Sequence, residues 1–395
     1  MSHIALVVPG LDRIGGAERQ LLLLARGFRG RGWRVTVVAL SGQGSAALED
    51  LSADQIPLVC LHMRKGLADP RGWLRFHRWL RRERPDVLHA HLPHAAWFAR
   101  WSRLAAPVRV LTDRLHSTAT GTPGRRLGYR ASAWLADCVT SVSQPVADAH
   151  RAARMAPAAR LAVLPNGVDL DVCTPDPAAR HRLRAELRLK DDDFLWLAAG
   201  RLAPVKDYPT LFAAFALLPP SARLIVAGEG PQYDELRALA ACLDIRNRVR
   251  FLGFQRQPVR WMQAADGLVL SSLWEGLPMV LLEAAACALP AVATDVPGTR
   301  QLASLLPVPL ATPGDAPALA QSMLALMQTD ASERLRMGQE ARSQVAARFS
   351  METALDRWEA LYAHLLAANP QPRRWSRSAL APLVLQPQSE LEANS

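Results

Sequence analysis

The sequence predicts an α/β protein made of two doubly wound parallel sheets, and three observations carry that prediction. The chain of 395 residues exceeds what one hydrophobic core usually supports. Half of its residues are hydrophobic, ample for two cores. Short β-rich apolar runs alternate with amphipathic helical stretches along its length, and strands separated by crossover helices pair in parallel, with helices on both faces of the sheet.

Taken in order, Ile4 to Val8, Val35 to Leu40, Val87 to His91, Val108 to Thr112 and Cys138 to Val142 read as the strands of the first sheet. Pro165-Asn166-Gly167 and Pro175-Asp176-Pro177 then supply turn chemistry and a linker. The rhythm restarts with Phe194 to Ala199, Arg223 to Ala227, Val249 to Leu252, Gly267 to Ser271 and Ala291 to Thr294. Met351 to Leu366 carries Trp358, Leu361, Tyr362 and Leu365 at helical spacing, which calls for an apolar surface to cover them. After Ala368 the composition turns to Pro, Gln, Ser and Arg, which reads as a flexible tail with Trp375 as its one anchor. The expected division is therefore a first domain over 1–170, a second with its linker over 171–348, a C-terminal helix over 349–367 and a tail over 368–395. Ligands of such sheets bind at the carboxyl ends of the strands, so the cleft between the domains is the expected site.

Charge is distributed unevenly. Residues 1–170 hold 24 Lys+Arg against 12 Asp+Glu, a net +12, while residues 171–395 hold 23 against 24, a net −1. Clusters include Arg64-Lys65, the stretch from Trp73 to Arg82, and Arg125-Arg126 to Arg130. Such asymmetry points to a polyanionic partner or an anionic membrane surface for the first domain. In the 73–82 stretch Trp73, Phe76 and Leu80 share a face ringed by arginines, which suits either a membrane interface or packing on the sheet. Nucleic acid is not expected, because no recognisable binding motif accompanies the charge. No apolar run reaches the roughly 18 to 20 residues of a spanning helix, and the first residues show no signal-peptide pattern, so a cytoplasmic protein at the inner membrane face is expected. The cysteines Cys60, Cys138, Cys173, Cys242 and Cys287 are odd in number, scattered and without a Cys-x-x-Cys pair, and read as small buried hydrophobes.

The stretch from Trp274 to Asp295 is the most informative in the chain. Glu275 and Glu283 are separated by seven mostly apolar residues, with a Gly276-Leu277-Pro278 turn leading into a helix. Two carboxylates beside a helix N-terminus suit a polyhydroxylated ligand whose anionic part rests on free N–H groups, as a nucleotide sugar would. An amphipathic helix with two solvated glutamates has the same pattern. Only Lys65, Lys190 and Lys206 are lysine among 47 basic residues, which sets Lys206 apart as a compact ammonium in a loop after a strand, five residues from Arg201. His89 and His91 alternate onto one face of their strand like a metal pair, without a third ligand, and His116 follows the next strand, with Asp113 and Arg114 as alternatives for its place.

The Glu275 to Glu283 spacing resembles the Glu-x7-Glu signature of retaining glycosyltransferases of the GT-B fold, most closely glycosyltransferase family 4. Supporting matches lie in order: Gly15-Gly16-Ala17-Glu18-Arg19, Leu164-Pro165-Asn166-Gly167-Val168-Asp169, Ala199-Gly200-Arg201-Leu202 with Lys206-Asp207-Tyr208, and Ala227-Gly228-Glu229-Gly230-Pro231. The likeness spans about residues 3–366. It implies a C-terminal helix returning to the first domain. It implies a donor, a UDP- or GDP-sugar, on the second domain along Gly276, Leu277, Pro278, Met279 and Val280, with Glu283 at the ribose and Glu275 at the transferred sugar. Arg201 and Lys206 would neutralise the leaving phosphate, Gly15 and Gly16 would let the backbone approach a diphosphate or acceptor, and His116 would hydrogen-bond sugar or acceptor. No Asp-x-Asp triplet lies at a strand end, so no metal and no further cofactor is expected. The preferred acceptor is a glycan or lipid-linked saccharide of surface polysaccharide synthesis; a soluble-acceptor transferase, a sugar-nucleotide epimerase or a non-catalytic scaffold are the competing readings. Three departures affect loop shape: Ala288 stands where glycine is usual, Pro297-Gly298 replaces Gly-Gly, and Gln301 replaces an acid.

Overall fold

The computed structural model describes residues 2–12, 14–64, 69–106, 108–117 and 122–369; Lys65, the side chain of Arg125, and the tail from residue 370, Trp375 included, lie outside the described residues. Two units result, one running to Gly167 and resuming at Met351, the other from Val168 to Ser350.

In the first unit β1 (His3–Val8), β2 (Arg34–Ala39), β3 (Leu58–Cys60), β4 (Val87–His91), β5 (Val110–Leu115), β6 (Cys138–Ser141) and β7 (Leu161–Val163) form one sheet in the order β3-β2-β1-β4-β5-β6-β7, every pair parallel. β1 is buried along its whole length, as a strand covered by helices on both faces must be. The helix Met351–Ala368 belongs to this unit: Leu355, Trp358, Leu361, Tyr362 and Leu365 enter its core beside Leu6, Leu24, Phe28 and Val37. Gly27 allows that approach, since a Cβ there would lie 2.4 Å from Leu355.

The helix Pro70–Glu83 starts at Asp69, whose carboxylate accepts from Arg71 N at 3.1 Å and Gly72 N at 3.0 Å, with proline in the first turn where no N–H is missed. Its apolar side packs on protein. Phe76, Trp79 and Leu80 are buried, and Trp73 sits 4.3 Å from the ring of Phe98. Arg71, Arg75, Arg78, Arg81 and Arg82 remain exposed, together with Leu74.

In the second unit β8 (Phe194–Ala199), β9 (Ala222–Ala227), β10 (Val249–Gly253), β11 (Gly267–Leu270), β12 (Ala291–Thr294) and β13 (Leu310–Ala311) form a parallel sheet in the order β10-β9-β8-β11-β12-β13. Trp196, Phe212, Phe215, Leu224 and Met323 fill its core.

Two expectations are corrected. β5 runs on through Asp113, Arg114 and Leu115 instead of stopping at Thr112. Charged side chains are tolerated inside this strand because each has a buried partner: Asp113 pairs with Arg100, and Arg114 donates to Leu164 O and Asn166 Oδ1. Cys242 is exposed rather than buried, on the last turn of the helix Tyr233–Cys242.

Candidate active site

In the second unit the strand order reverses between β8 and β11, the place where an open α/β sheet offers a crevice to ligands. The residues after those two strands meet there. Lys206 ends a short 3-10 turn, Pro204–Lys206, and its Nζ lies 2.6 Å from Glu275 Oε1. Ser272 Oγ donates to the same oxygen at 2.6 Å. Ser271 Oγ donates to Lys206 O at 2.7 Å, and Leu273 N to Val205 O at 2.9 Å, so the loop after β11 is stitched to the turn carrying the lysine. Tyr208 donates to Gly200 O at 3.1 Å; burial, with the charge of Glu275 adding, pushes its phenol above the ordinary range.

The loops after β8 and β9 touch backbone to backbone. A Cβ on Gly228 would lie 1.9 Å from Gly200 O, and one on Gly230 2.1 Å from Leu202 O, so glycine is required at both. Arg201 stands exposed on the first of these loops, and its guanidinium forms no ion pair or hydrogen bond among the described residues. Gly276, Leu277 and Pro278 are buried as the chain turns into the helix Met279–Ala286, where Met279, Val280 and Glu283 are half-buried. Pro278 offers that helix no side-chain cap. Leu273 and Trp274, just before Glu275, are exposed. Sequence reasoning missed Ser272: it precedes the glutamate by three residues, and a serine in a loop carries no signal until its hydroxyl is seen on the carboxylate.

The first unit has its own reversal, between β1 and β4. Gly15 and Gly16 follow β1 and open the helix Gly16–Gly30. Gly15 N donates to Glu18 Oε2 at 3.0 Å, so Glu18 caps the helix, and a Cβ on Gly16 would meet nothing within 4 Å. At the end of β4 the rings of His89 and His91 stack with centroids 4.4 Å apart, and His91 lies 5.6 Å from His116. Tyr362 OH is 2.6 Å from His89 Nδ1. Arg114 lies 4.8 Å over the Trp358 ring. Burial lowers His89 and His91 well below the usual imidazole range and takes His116 to about 3, Arg114 adding to each; Arg114 itself is lowered by burial to about 9. The histidines are therefore neutral, and both ring nitrogens of His91 and Nε2 of His116 are buried without a hydrogen-bond partner. Of the three candidates at the end of β5, Asp113 is committed to Arg100 and Tyr129, Arg114 to Asn166 and Leu164, and His116 stands half-buried just past the strand end. Among the described residues no group of three or more His, Cys, Asp or Glu could hold a metal ion.

Comparison with known proteins adds the following. Residues 14–172 match the family model described as Glycosyltransferase Family 4, and residues 179–344 that described as Glycosyl transferases group 1. EpsD of Bacillus subtilis (strain 168) is 31% identical over 70% of this chain and 74% of its own length. The UDP-Gal:alpha-D-GlcNAc-diphosphoundecaprenol alpha-1,3-galactosyltransferase of Escherichia coli is 25% identical over 62% of this chain and 67% of its own. Among solved structures, Anabaena Alr3699/HepE in complex with UDP-glucose superposes with a TM-score of 0.79 at 25% identity, covering 91% of this chain and 99% of that one.

Proposed function

The chain belongs to the family 4, group 1 glycosyltransferases, and from that premise we propose that it moves a sugar from a UDP-sugar to an acceptor hydroxyl with retention of configuration and without a metal. The observation that carries this reading is the Lys206–Glu275 contact at the β8/β11 reversal, with Arg201 on the same loop. Departure of a nucleoside diphosphate builds negative charge on the leaving oxygens. Arg201 forks onto two of them and Lys206 supplies a point charge, fixed cations that stabilise what develops in the transition state. Glu275 faces the transferred sugar, Glu283 takes the ribose hydroxyls, and the backbone from Gly276 to Val280 lies along the donor. In the first unit Gly16 leaves room for the acceptor side of the reaction, and His116 offers it a neutral imidazole.

A UDP-sugar is preferred over a GDP-sugar because of the UDP-glucose complex of the Anabaena protein and the UDP-Gal donor in the name of the Escherichia coli relative. That relative's diphosphoundecaprenol acceptor, and the +12 charge of residues 1–170, support a lipid-linked saccharide at an anionic membrane surface.

Binding and turnover separate the roles. Glu283→Ala should weaken binding of UDP-glucose, read by thermal shift, while Glu275→Ala should keep binding and lower the rate of UDP release by about 10². Small, equal effects of both would overturn the assignment. Rates should be unchanged by EDTA; a loss reversed by manganese would replace Arg201 and Lys206 with a metal as the phosphate's counter-charge.

A further inference from the structure

We propose that Ser272 is the positioning residue that keeps Glu275 aimed when Lys206 leaves it for the donor's diphosphate. The inference rests on the roles given above to Lys206 and Glu275. Both Lys206 Nζ and Ser272 Oγ sit 2.6 Å from one oxygen, Glu275 Oε1. The ammonium rides on a flexible four-carbon stem and follows the larger negative charge, so a bound diphosphate draws it away from the carboxylate. Glu275 then loses one of the two side-chain donors that orient it among the described residues. Ser272 is the other.

Ser272 is built to stay in place. It is fully buried, and its carbonyl accepts Thr294 Oγ1 at 2.6 Å. The carbonyl of Thr294 accepts the hydroxyl of Thr299 at 2.5 Å, and Thr299 Oγ1 in turn accepts Val296 N at 3.0 Å. Thr294 and Thr299 are fully buried as well. The helix Pro297–Ala303 braces the same loop from outside: a Cβ on Gly298 would lie 2.6 Å from Glu275 O and 2.8 Å from Gly276 O, so the close approach requires glycine. A hydroxyl held through this relay directs a carboxylate, which can only accept hydrogen bonds, along one line.

The test is a double-mutant cycle on UDP release from UDP-glucose. Ser272→Ala should lower kcat about tenfold with KM for UDP-glucose and the thermal midpoint unchanged, the pattern of an interaction needed only at the chemical step. In a Glu275→Gln background the same change should alter kcat less than twofold, because its route of action has gone. A tenfold loss in both backgrounds, or wild-type kcat for Ser272→Ala, would overturn the inference while leaving the role of Glu275 intact. Wild-type kcat for Glu275→Gln alone would remove that role, and the inference with it.

Discussion

Ala288 follows the helix Met279–Ala286 with φ at +54°, in the left-handed region that disfavours any residue with a Cβ. The sequence already flagged this position, because glycine is the usual residue there. Ala288→Gly should therefore stabilise the protein by about 1 kcal/mol, measured as a higher urea midpoint at unchanged m-value. Gly338→Ala should do the opposite, since its Cβ would lie 2.0 Å from Ala288 O. Other residues were legible to different degrees. Glu275, Glu283, Arg201 and Lys206 stand out by spacing and by the scarcity of lysine. The pairing of Lys206 with Glu275 does not, because a contact between residues 69 apart in the chain depends on two strands being neighbours across a reversal. Ser272, Thr294 and Thr299 were illegible for the same reason: hydroxyl bonds to loop carbonyls leave no periodicity.

At the scale of elements, the helix Met351–Ala368 and β4 are joined through Tyr362 and His89. The buried histidines of β4 make this junction sensitive to acid. His89 and His91 are fully buried, with folded-state pKa values depressed by burial well below the ordinary value. The unfolded chain thus takes up protons first as pH falls. Their contribution is intact above about pH 6.5 and lost below it, at up to about 1.4 kcal/mol per pH unit for each histidine. Urea midpoints should fall between pH 7 and pH 5.5, and His91→Gln should make that fall shallower by one histidine's share; an unchanged slope would mean that His91 is not neutral in the folded state. The long central strands and the last helix were legible from apolar runs and helical spacing. The edge strands β3, β7 and β13, of three, three and two residues, were not, being too short and too little buried to show a pattern. β5 was misjudged because charge reads as exposure until the buried partners of Asp113 and Arg114 are seen.

Over the whole molecule the sequence shows that the excess charge lies in residues 1–170, and the structure sharpens which groups are available. Arg75 donates to His62 O, Arg81 to Ala105 O, and Arg82 pairs with Glu83, so these arginines are partly engaged with protein. Arg71, Arg78, Arg126 and Arg130 are exposed, with no side-chain partner among the described residues, and Leu74 and Leu127 stand exposed on the same two helices, Pro70–Glu83 and Pro123–Ser132. The protein should sediment with phosphatidylglycerol vesicles and not with phosphatidylcholine vesicles, at about 1 kcal/mol per basic group near the surface. Replacing those four arginines by glutamine should release it at lower salt with UDP affinity unchanged. Equal partition between the two vesicle types would favour a soluble acceptor.

The second unit begins and ends at one spot: Val168 N donates to Phe349 O at 2.7 Å, and Val168 bridges to Ser350. In the first unit the flanking residues are equally close, with a Cβ on Gly167 only 2.8 Å from the Cα of Met351. Topologically the molecule is a nested pair, one domain threaded as a cassette into a single gap of its host, and such a cassette can be lifted out without cutting either hydrophobic core. Residues 168–350 expressed alone should melt cooperatively and bind UDP, and the host should close with a few Gly-Ser residues joining Gly167 to Met351. In calorimetry each piece should show its own transition. On the proposed donor site the cassette would then be exchangeable between relatives, and donor preference should travel with it.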